Sequence, residues 1–234
     1  METKPVQSPK GRLCELTYRE DTSDLSTIGS TWRLWGSLVD EYGLVGLPDD
    51  MTGTAIDIGA HIGSVALALL VDHPRLKVVA VEPLVENCDI IRLNAEHLGV
   101  ADRLTIHEAG ISSSETVPIT WNWTETGNDE YWRTNRFIGN VRVGTDGGSE
   151  TVIMPGITLG SLMPKRGLVP FMKIDCEGCE WVALTDPAIK RIRRIVGEYH
   201  GHPGSDGLRD LLDPTHDMSI EPNGACGIFT ATVR

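Results

Sequence analysis

The stretch Thr54-Ala-Ile-Asp-Ile-Gly-Ala-His-Ile-Gly63 decides the fold. Thr54 to Ile58 reads as a short strand buried on both faces. The glycines after it make a turn, and the apolar run from Ile62 to about Asp72 reads as a helix. Strand, tight turn and helix open a βαβ unit. The pattern then repeats. Lys77-Val-Val-Ala-Val81 is a second strand, and Leu84 to Leu98 carries Val85, Cys88, Ile91, Leu93 and Leu98 at helical spacing until Gly99 stops it. Leu104-Thr-Ile-His107 is a third strand. Such alternation implies parallel strands, right-handed crossovers and helices on both sheet faces, a Rossmann-like doubly wound α/β fold.

Downstream, Phe171-Met-Lys-Ile-Asp175 reads as a fourth strand, Cys179 to about Ile189 as a helix, and Arg194-Ile-Val-Gly-Glu-Tyr199 as a fifth strand. A short helix near Asp206 to Leu212 follows. Met218 to Glu221 and Ile228 to Val233, joined through Pro222-Asn-Gly224, read as an antiparallel hairpin that completes a mostly parallel sheet of about seven strands. The alternation breaks between about Thr116 and Pro155. This segment is dense in Trp121, Trp123, Tyr131 and Trp132, with β-like pieces at Val117–Trp121 and Val141–Val143, and reads as an insertion. At the other end, residues 1–24 are polar, contain Pro5, Pro9 and Gly11, and are expected to form a flexible or loosely docked arm. Leu25 to Val45 has apolar residues at three- and four-residue steps and is expected to be a helix covering one edge of a single domain spanning 25–234.

Bulk properties narrow the function. A chain of 234 residues suits one α/β domain, and 40% hydrophobic with 23% charged residues argues against disorder. A net charge of −12 disfavours nonspecific nucleic-acid binding, which relies on Lys and Arg neutralising phosphates. Lys190-Arg-Ile-Arg-Arg194 reads as a solvated face. Five scattered cysteines imply reduced thiols, and the absence of a leader-like or membrane-length apolar run implies a cytoplasmic protein without a membrane partner.

In doubly wound sheets the ligand lies beyond the strand ends where the strand order reverses, which places it at Asp57-Ile-Gly-Ala-His-Ile-Gly63. A dinucleotide fingerprint reads Gly-x-Gly-x-x-Gly. Here the spacing is Gly-x-x-x-Gly after an aspartate, and a diphosphate disfavours a nearby carboxylate. Glu82, ending the second strand, is placed to accept both hydroxyls of a ribose. A glycine turn with Asp57, Gly59, Ala60, His61 and Gly63, together with Glu82, fits S-adenosylmethionine better than NAD. Glu108 and Ala109, after the third strand, are expected near the adenine. Two blander readings stand beside these: the glycines permit tight strand–helix packing, and Glu82 is a solvated strand end.

With these residues in place the chain resembles the FkbM family of class I methyltransferases from about Thr54 to His200. The most specific part is Phe171-Met-Lys-Ile-Asp-Cys-Glu-Gly-Cys-Glu180, similar to the family's Lys-Ile-Asp-x-Glu-Gly-x-Glu signature. Asp57 to Gly63, Val81-Glu-Pro83, Asn94, Ile157-Thr-Leu159 and Gly197-Glu-Tyr-His200 support it. His61 departs from it, since the family usually has Asn there. The resemblance implies S-adenosylmethionine as methyl donor and a hydroxyl of a sugar or secondary metabolite as acceptor.

An alcohol is a poor nucleophile, and a positioned base typically contributes about 10²–10⁴-fold. Asp175, Glu177, Glu198, His200 and His202 cluster at the ends of the fourth and fifth strands. His200 is the expected base, because an ordinary histidine titrates near neutrality. Asp175 is expected to orient donor or acceptor, Glu177 to cap a helix or act in catalysis, Glu180 to be a helix-surface or capping residue, and Lys173 to pair with Asp175. The same acids and histidines could hold a divalent metal, whereas Cys176-Glu-Gly-Cys179 lacks a second ligand pair for zinc. A noncatalytic donor-binding module and an NAD-dependent oxidoreductase are the competing readings.

Overall fold

The computed structural model describes residues 1–20, 22–124, 147–224 and 226–234, with only the backbone of 120–124 and 147–150. Two strands open the chain, β1 (Glu2–Gln7) and β2 (Leu13–Tyr18), followed by α1 (Asp24–Thr31). The core then alternates through β3 (Gly53–Ile58), α2 (Ser64–Asp72), β4 (Leu76–Val81), α3 (Val85–His97) and β5 (Leu104–His107). A side excursion is made of β6 (Gly110–Ile111), β7 (Thr116–Thr124) and β8 (Gly147–Ile157). After it come α4 (Leu159–Leu162), β9 (Met172–Ile174), α5 (Glu180–Leu184), β10 (Arg194–His200), α6 (Gly204–Leu212), β11 (His216–Asn223) and β12 (Cys226–Val233).

The central seven-stranded sheet has the order β11-β12-β10-β9-β3-β4-β5. Strands β10, β9, β3, β4 and β5 are parallel, and β12 runs antiparallel to both β10 and β11. This is the expected Rossmann-like sheet with a terminal hairpin. The chain builds outward from β3 through β4 to β5, then returns to lay β9 on β3's other side, so the order reverses at β3 and a crevice opens there.

Because both faces are covered, successive strand residues feed two separate cores. Ala55, Ala80 and Val196 pack on one face with α2, while Ile56, Ile58, Met172, Ile174 and Ile195 pack on the other. Helix α2 is buried along nearly its whole length, from Ser64 to Leu70, because the sheet lies on one side and the N-terminal elements on the other. Among the described residues no helix is long and apolar enough to cross a membrane.

Residues expected to form a loose arm are an ordered hairpin. Val6, Leu16 and Tyr18 enter the core, and the Asn94 side chain brackets Thr17 by accepting from its N–H at 2.7 Å and donating to its carbonyl at 2.9 Å. Asp72 accepts from the Ser8 hydroxyl and, at 3.0 Å, from the Lys10 N–H. Pro5 lies within β1, a position on a two-stranded edge that tolerates a missing donor, whereas Pro9 sits in the turn between the two strands.

The long helix expected over Leu25–Val45 ends at Thr31. Trp35, Gly36, Asp40 and Gly43 all have positive φ, which no α-helix accommodates. Trp32 instead plugs the core, its Nε1–H donating to the Ser64 carbonyl at 2.9 Å. Helix α5 is likewise shorter than the expected Cys179–Ile189. Asp186 caps a separate 3₁₀ turn, Pro187–Arg191, by accepting from Ala188 N–H at 2.9 Å. Within the excursion, β7 and β8 pair antiparallel from Thr116↔Pro155 to Thr124↔Gly147. Tyr131, Trp132 and the piece Val141–Val143 lie outside the described residues, as do the side chains of Trp121 and Trp123.

Candidate active site

A cavity of about 810 Å³ opens at the ends of β3, β4, β9 and β10 and is roofed by α1. Its floor is the glycine turn. Gly59 (φ +72°) passes so close to the end of β9 that an added Cβ would lie 1.8 Å from the Asp175 carbonyl oxygen. Only glycine fits a left-handed residue pressed against a neighbouring backbone. The turn is anchored on the other side, since Gly59 and Ala60 N–H groups donate to the Val81 carbonyl at 3.0 and 3.1 Å. Gly63 (φ +81°) begins α2 and lies against Ile91 rather than on the cavity wall.

Glu82 faces the cavity and holds the turn in shape. One oxygen accepts from His61 N–H at 2.8 Å, the other from Leu84 N–H at 3.0 Å and Asn87 Nδ2 at 3.1 Å. Burial pushes its carboxyl up to about 7, against the pull of those three donors. His61, also on the wall, is driven down to about 4 by burial despite Asp24 at 3.8 Å, so it is neutral at pH 7. Ala109 lines the cavity. Glu108 does not; it turns outward into an ion pair with Arg92.

Asp57 also lies off the wall. It is fully buried behind the turn, accepts from Ala66 N–H at 3.0 Å, and has Lys173 Nζ 3.6 Å from its other oxygen. Burial raises its proton affinity and Lys173 opposes that. A carboxylate placed there serves the fold of the turn rather than a cationic ligand directly. Lys173 ties the same turn, donating to the carbonyls of Gly59 at 2.6 Å and Ile58 at 3.3 Å. Its expected partner Asp175 is at 3.9 Å, farther than Asp57.

The opposite wall is acidic. Asp175, Glu177 and Glu198 line it, joined by Glu41 and Tyr42 from the segment after α1. The Tyr42 hydroxyl donates to Asp175 Oδ2 at 2.9 Å, and burial together with the nearby carboxylates raises its proton affinity strongly. Burial, and then mutual repulsion, raises Glu41 and Glu198 and pushes Glu177 up to about 7. Glu177 itself has φ +56°, followed by Gly178 at +113°.

Behind this wall sits Glu180, which has no exposed area, so of its two expected roles the helix-surface one fails and the structure shows it binding backbone N–H groups. Its carboxylate accepts from Cys176 N–H at 3.2 Å and Gly178 N–H at 2.7 Å, shaping the turn after β9. His200 donates to the same group from Nδ1 at 2.8 Å, while Nε2 lies 3.4 Å from Glu177 and 3.8 Å from Glu198. Burial alone would lower the imidazole's proton affinity, but the Glu180 hydrogen bond and the surrounding acids outweigh it and push His200 up to about 9. A histidine that keeps its proton at neutral pH does not fit the role of general base, and it lies off the cavity wall. His202 is exposed beyond the strand end.

Two further findings bear on the cysteines and on metals. Cys176 and Cys179 form a disulfide, contrary to the expectation of reduced thiols throughout, because the left-handed turn between them brings their Cα atoms to 5.5 Å. Asp175, Glu180 and His200, and separately Glu198, His200 and Cys226, bring potential ligand atoms within 4.8 Å of one another. A cation there would have to displace the imidazole proton.

Sequence reasoning missed Tyr42 and Glu41. Tyr42 falls within the apolar spacing of the helix expected over Leu25–Val45, and its partner Asp175 is 133 residues away, so no local pattern links them.

The methyltransferase FkbM domain model matches residues 57–219. No curated protein matches the chain. Among solved structures it is similar to precorrin-6y C5,15-methyltransferase from Geobacter metallireducens GS-15, at 16% identity and TM-score 0.46 over 81% of this chain and 83% of that one. It is similar to the O-methyltransferase from Bacillus cereus in complex with SAH, at 17% identity and TM-score 0.45 over 77% of this chain and 74% of that one. It is also similar to precorrin 8W decarboxylase of Methanobacterium thermoautotrophicum, at 13% identity and TM-score 0.46 over 79% and 84%. These structural likenesses are weak, and the family match carries the assignment. Matched from the glycine turn to beyond the fifth core strand, the chain belongs to the FkbM methyltransferase family and is an S-adenosylmethionine-dependent methyltransferase.

Proposed function

We propose that the enzyme methylates a hydroxyl oxygen of a small sugar or secondary-metabolite acceptor within a single catalytic domain. The observation that carries this reading is one cavity with two unlike walls. The glycine turn, Glu82 and Ala109 form one, and Asp175, Glu177 and Glu198 form the other.

The first wall fits the donor. Gly59, Ala60 and His61 present backbone without an intruding Cβ at Gly59, and Glu82 offers a carboxylate at the end of β4. A carboxylate has about four acceptor positions, and three of Glu82's are taken by His61, Leu84 and Asn87. Glu82 therefore accepts one ribose hydroxyl rather than two. When bound, S-adenosylmethionine supplies an electrophilic sulfonium methyl group.

On the second wall Glu177 replaces His200 as the general base. Its carboxyl titrates near neutrality, and the imidazolium of His200 beside it stabilises the ionised form. Asp175, oriented by Tyr42, positions the acceptor. Aligning reactants within about 3–3.5 Å and excluding water supplies much of the rate in such a displacement. Val117, Pro118 and Ile119 of β7 also border the cavity, so the excursion contributes to acceptor choice. The net charge of −12 favours a small acceptor over a nucleic acid.

Incubation with methyl-labelled donor and a metabolite extract, read by mass spectrometry with and without EDTA, tests this. A methyl-shifted hydroxyl product that persists in EDTA is expected. Methylated amines alone, or no product from protein that binds donor, would overturn it.

A further inference from the structure

We propose that Cys176 and Cys179 are a reversible thiol–disulfide modification site that governs the acceptor wall of the cavity. The effect on turnover rests on Glu177 acting at that wall; the chemistry of the pair does not.

The bond spans the tetrapeptide Cys176-Glu-Gly-Cys179, whose central residues lie on the cavity wall together with both cysteines. Both cysteines are only half-buried, so a small thiol reaches them through the cavity. Cys14, Cys88 and Cys226 are free, so the oxidised pair is a particular one. The covalent tie holds Glu177 in the left-handed region at φ +56°, which side chains other than glycine adopt at a cost. Glu180 ties the N–H groups of Cys176 and Gly178 from behind, and the disulfide is a second, covalent tie across the same turn around Glu177. Without it only the hydrogen bonds to Glu180 hold the turn, and Glu177 gains freedom to leave that conformation and withdraw from His200, 3.4 Å away.

The exchange partner is a low-molecular-weight thiol. Its thiolate attacks one sulfur, the S–S bond breaks, and a mixed disulfide forms as the other cysteine leaves as thiolate. A second external thiolate then attacks the sulfur of the first, that mixed S–S bond breaks, and the protein cysteine leaves as thiolate. Two external thiols become one external disulfide, and Cys176 and Cys179 together gain two electrons and two protons. Oxidation by the external disulfide is the reverse.

The test equilibrates the full chain with reduced and oxidised glutathione at a series of ratios and then traps thiols by alkylation. Alkylated cysteines are assigned by mass spectrometry. S-adenosylhomocysteine affinity and turnover of an acceptor found as above are measured in parallel. The 176/179 pair is expected to exchange while Cys88 stays a thiol. Turnover is expected to fall roughly 10- to 100-fold on reduction, the scale on which misplacing a reacting group acts, with product affinity unchanged. Cys176→Ser/Cys179→Ser should show the reduced-state turnover at every ratio; Cys176→Ser alone serves if the pair of changes prevents folding. Cys14→Ser should behave as wild type. A pair that stays reduced under oxidised glutathione, or equal turnover in both states, overturns the proposal. Absence of donor binding in both states would count against the function proposed above, and an exchanging pair would still support the site.

Discussion

Nδ1 of His200 lies 2.8 Å from Oε1 of Glu180, a carboxylate with no exposed surface, while its Nε2 faces Glu177 and Glu198. One imidazole thus bridges the element that shapes the signature turn and the acids that line the cavity. Its role is that of a fixed cation. Activity is expected to rise as Glu177 loses its proton near pH 7 and to fall as His200 loses its own near pH 9. In His200→Gln the charge that favours ionised Glu177 is gone, so the acid limb moves to higher pH and turnover at pH 7 drops by roughly tenfold. A pH–rate profile of both proteins checks this. An unchanged acid limb in the variant would remove His200 from the account.

The same titration affects stability. His200 has a folded-state pKa above its ordinary 6.5, so the stability it contributes is complete below about pH 6.5 and is lost as pH rises through about 9. Glu82 and Glu177, pushed up to about 7, act in the same direction between about pH 4.5 and 7, while buried neutral His61, pushed down to about 4, opposes them below 6.5. Thermal melts of the wild type are expected to fall between pH 6.5 and 9. The fall should be smaller in His200→Gln.

Gly59→Ala places a Cβ 1.8 Å from the Asp175 carbonyl at φ +72°. Backbone cannot yield there cheaply, and a loss on the order of 3 kcal/mol or more is expected, with donor binding abolished. Gly99→Ala, at φ +66° with nothing within 4 Å, isolates the conformational cost. It should lose only about 1–2 kcal/mol. Urea midpoints of the two variants measure the difference, and equal losses would argue against the close approach.

Glu82→Ala leaves the His61 and Leu84 N–H groups and the Asn87 amide without their acceptor. Unsatisfied buried donors cost about 1–3 kcal/mol each, so the variant should melt earlier as well as bind donor poorly. Glu108→Ala, which only breaks a surface pair with Arg92, should change stability by less than about 1 kcal/mol and leave donor affinity intact. Parallel melts and binding curves separate the two.

The parts of this molecule that could be read from the chain are those written in local pattern. Thr54 to Gly63 and Phe171 to Glu180 announce themselves through strand periodicity, turn glycines and the family signature, and the sheet follows from their alternation. What escaped notice depends on distant partners. Val6, Leu16 and Tyr18 look ordinary until Asn94 and Asp72 are seen to fasten their hairpin. The apolar spacing of Leu25 to Val45 resembles a helix because spacing does not record the left-handed backbone at Trp35 and Asp40. His200 was chosen as base from its ordinary titration, and that choice fails because three acids from two strand ends surround it. Asp57 was placed one layer too far forward, since a strand-end carboxylate can equally cap the helix behind the turn.

Calorimetric titration of S-adenosylhomocysteine into the wild type, Glu82→Ala and His200→Gln tests the central claim, that the glycine turn and Glu82 hold the donor. The account predicts one micromolar-range site per chain in the wild type, retained in His200→Gln and weakened at least about tenfold, roughly 1.4 kcal/mol, in folded Glu82→Ala. No binding by folded wild-type protein, or equal affinity in Glu82→Ala, would contradict it.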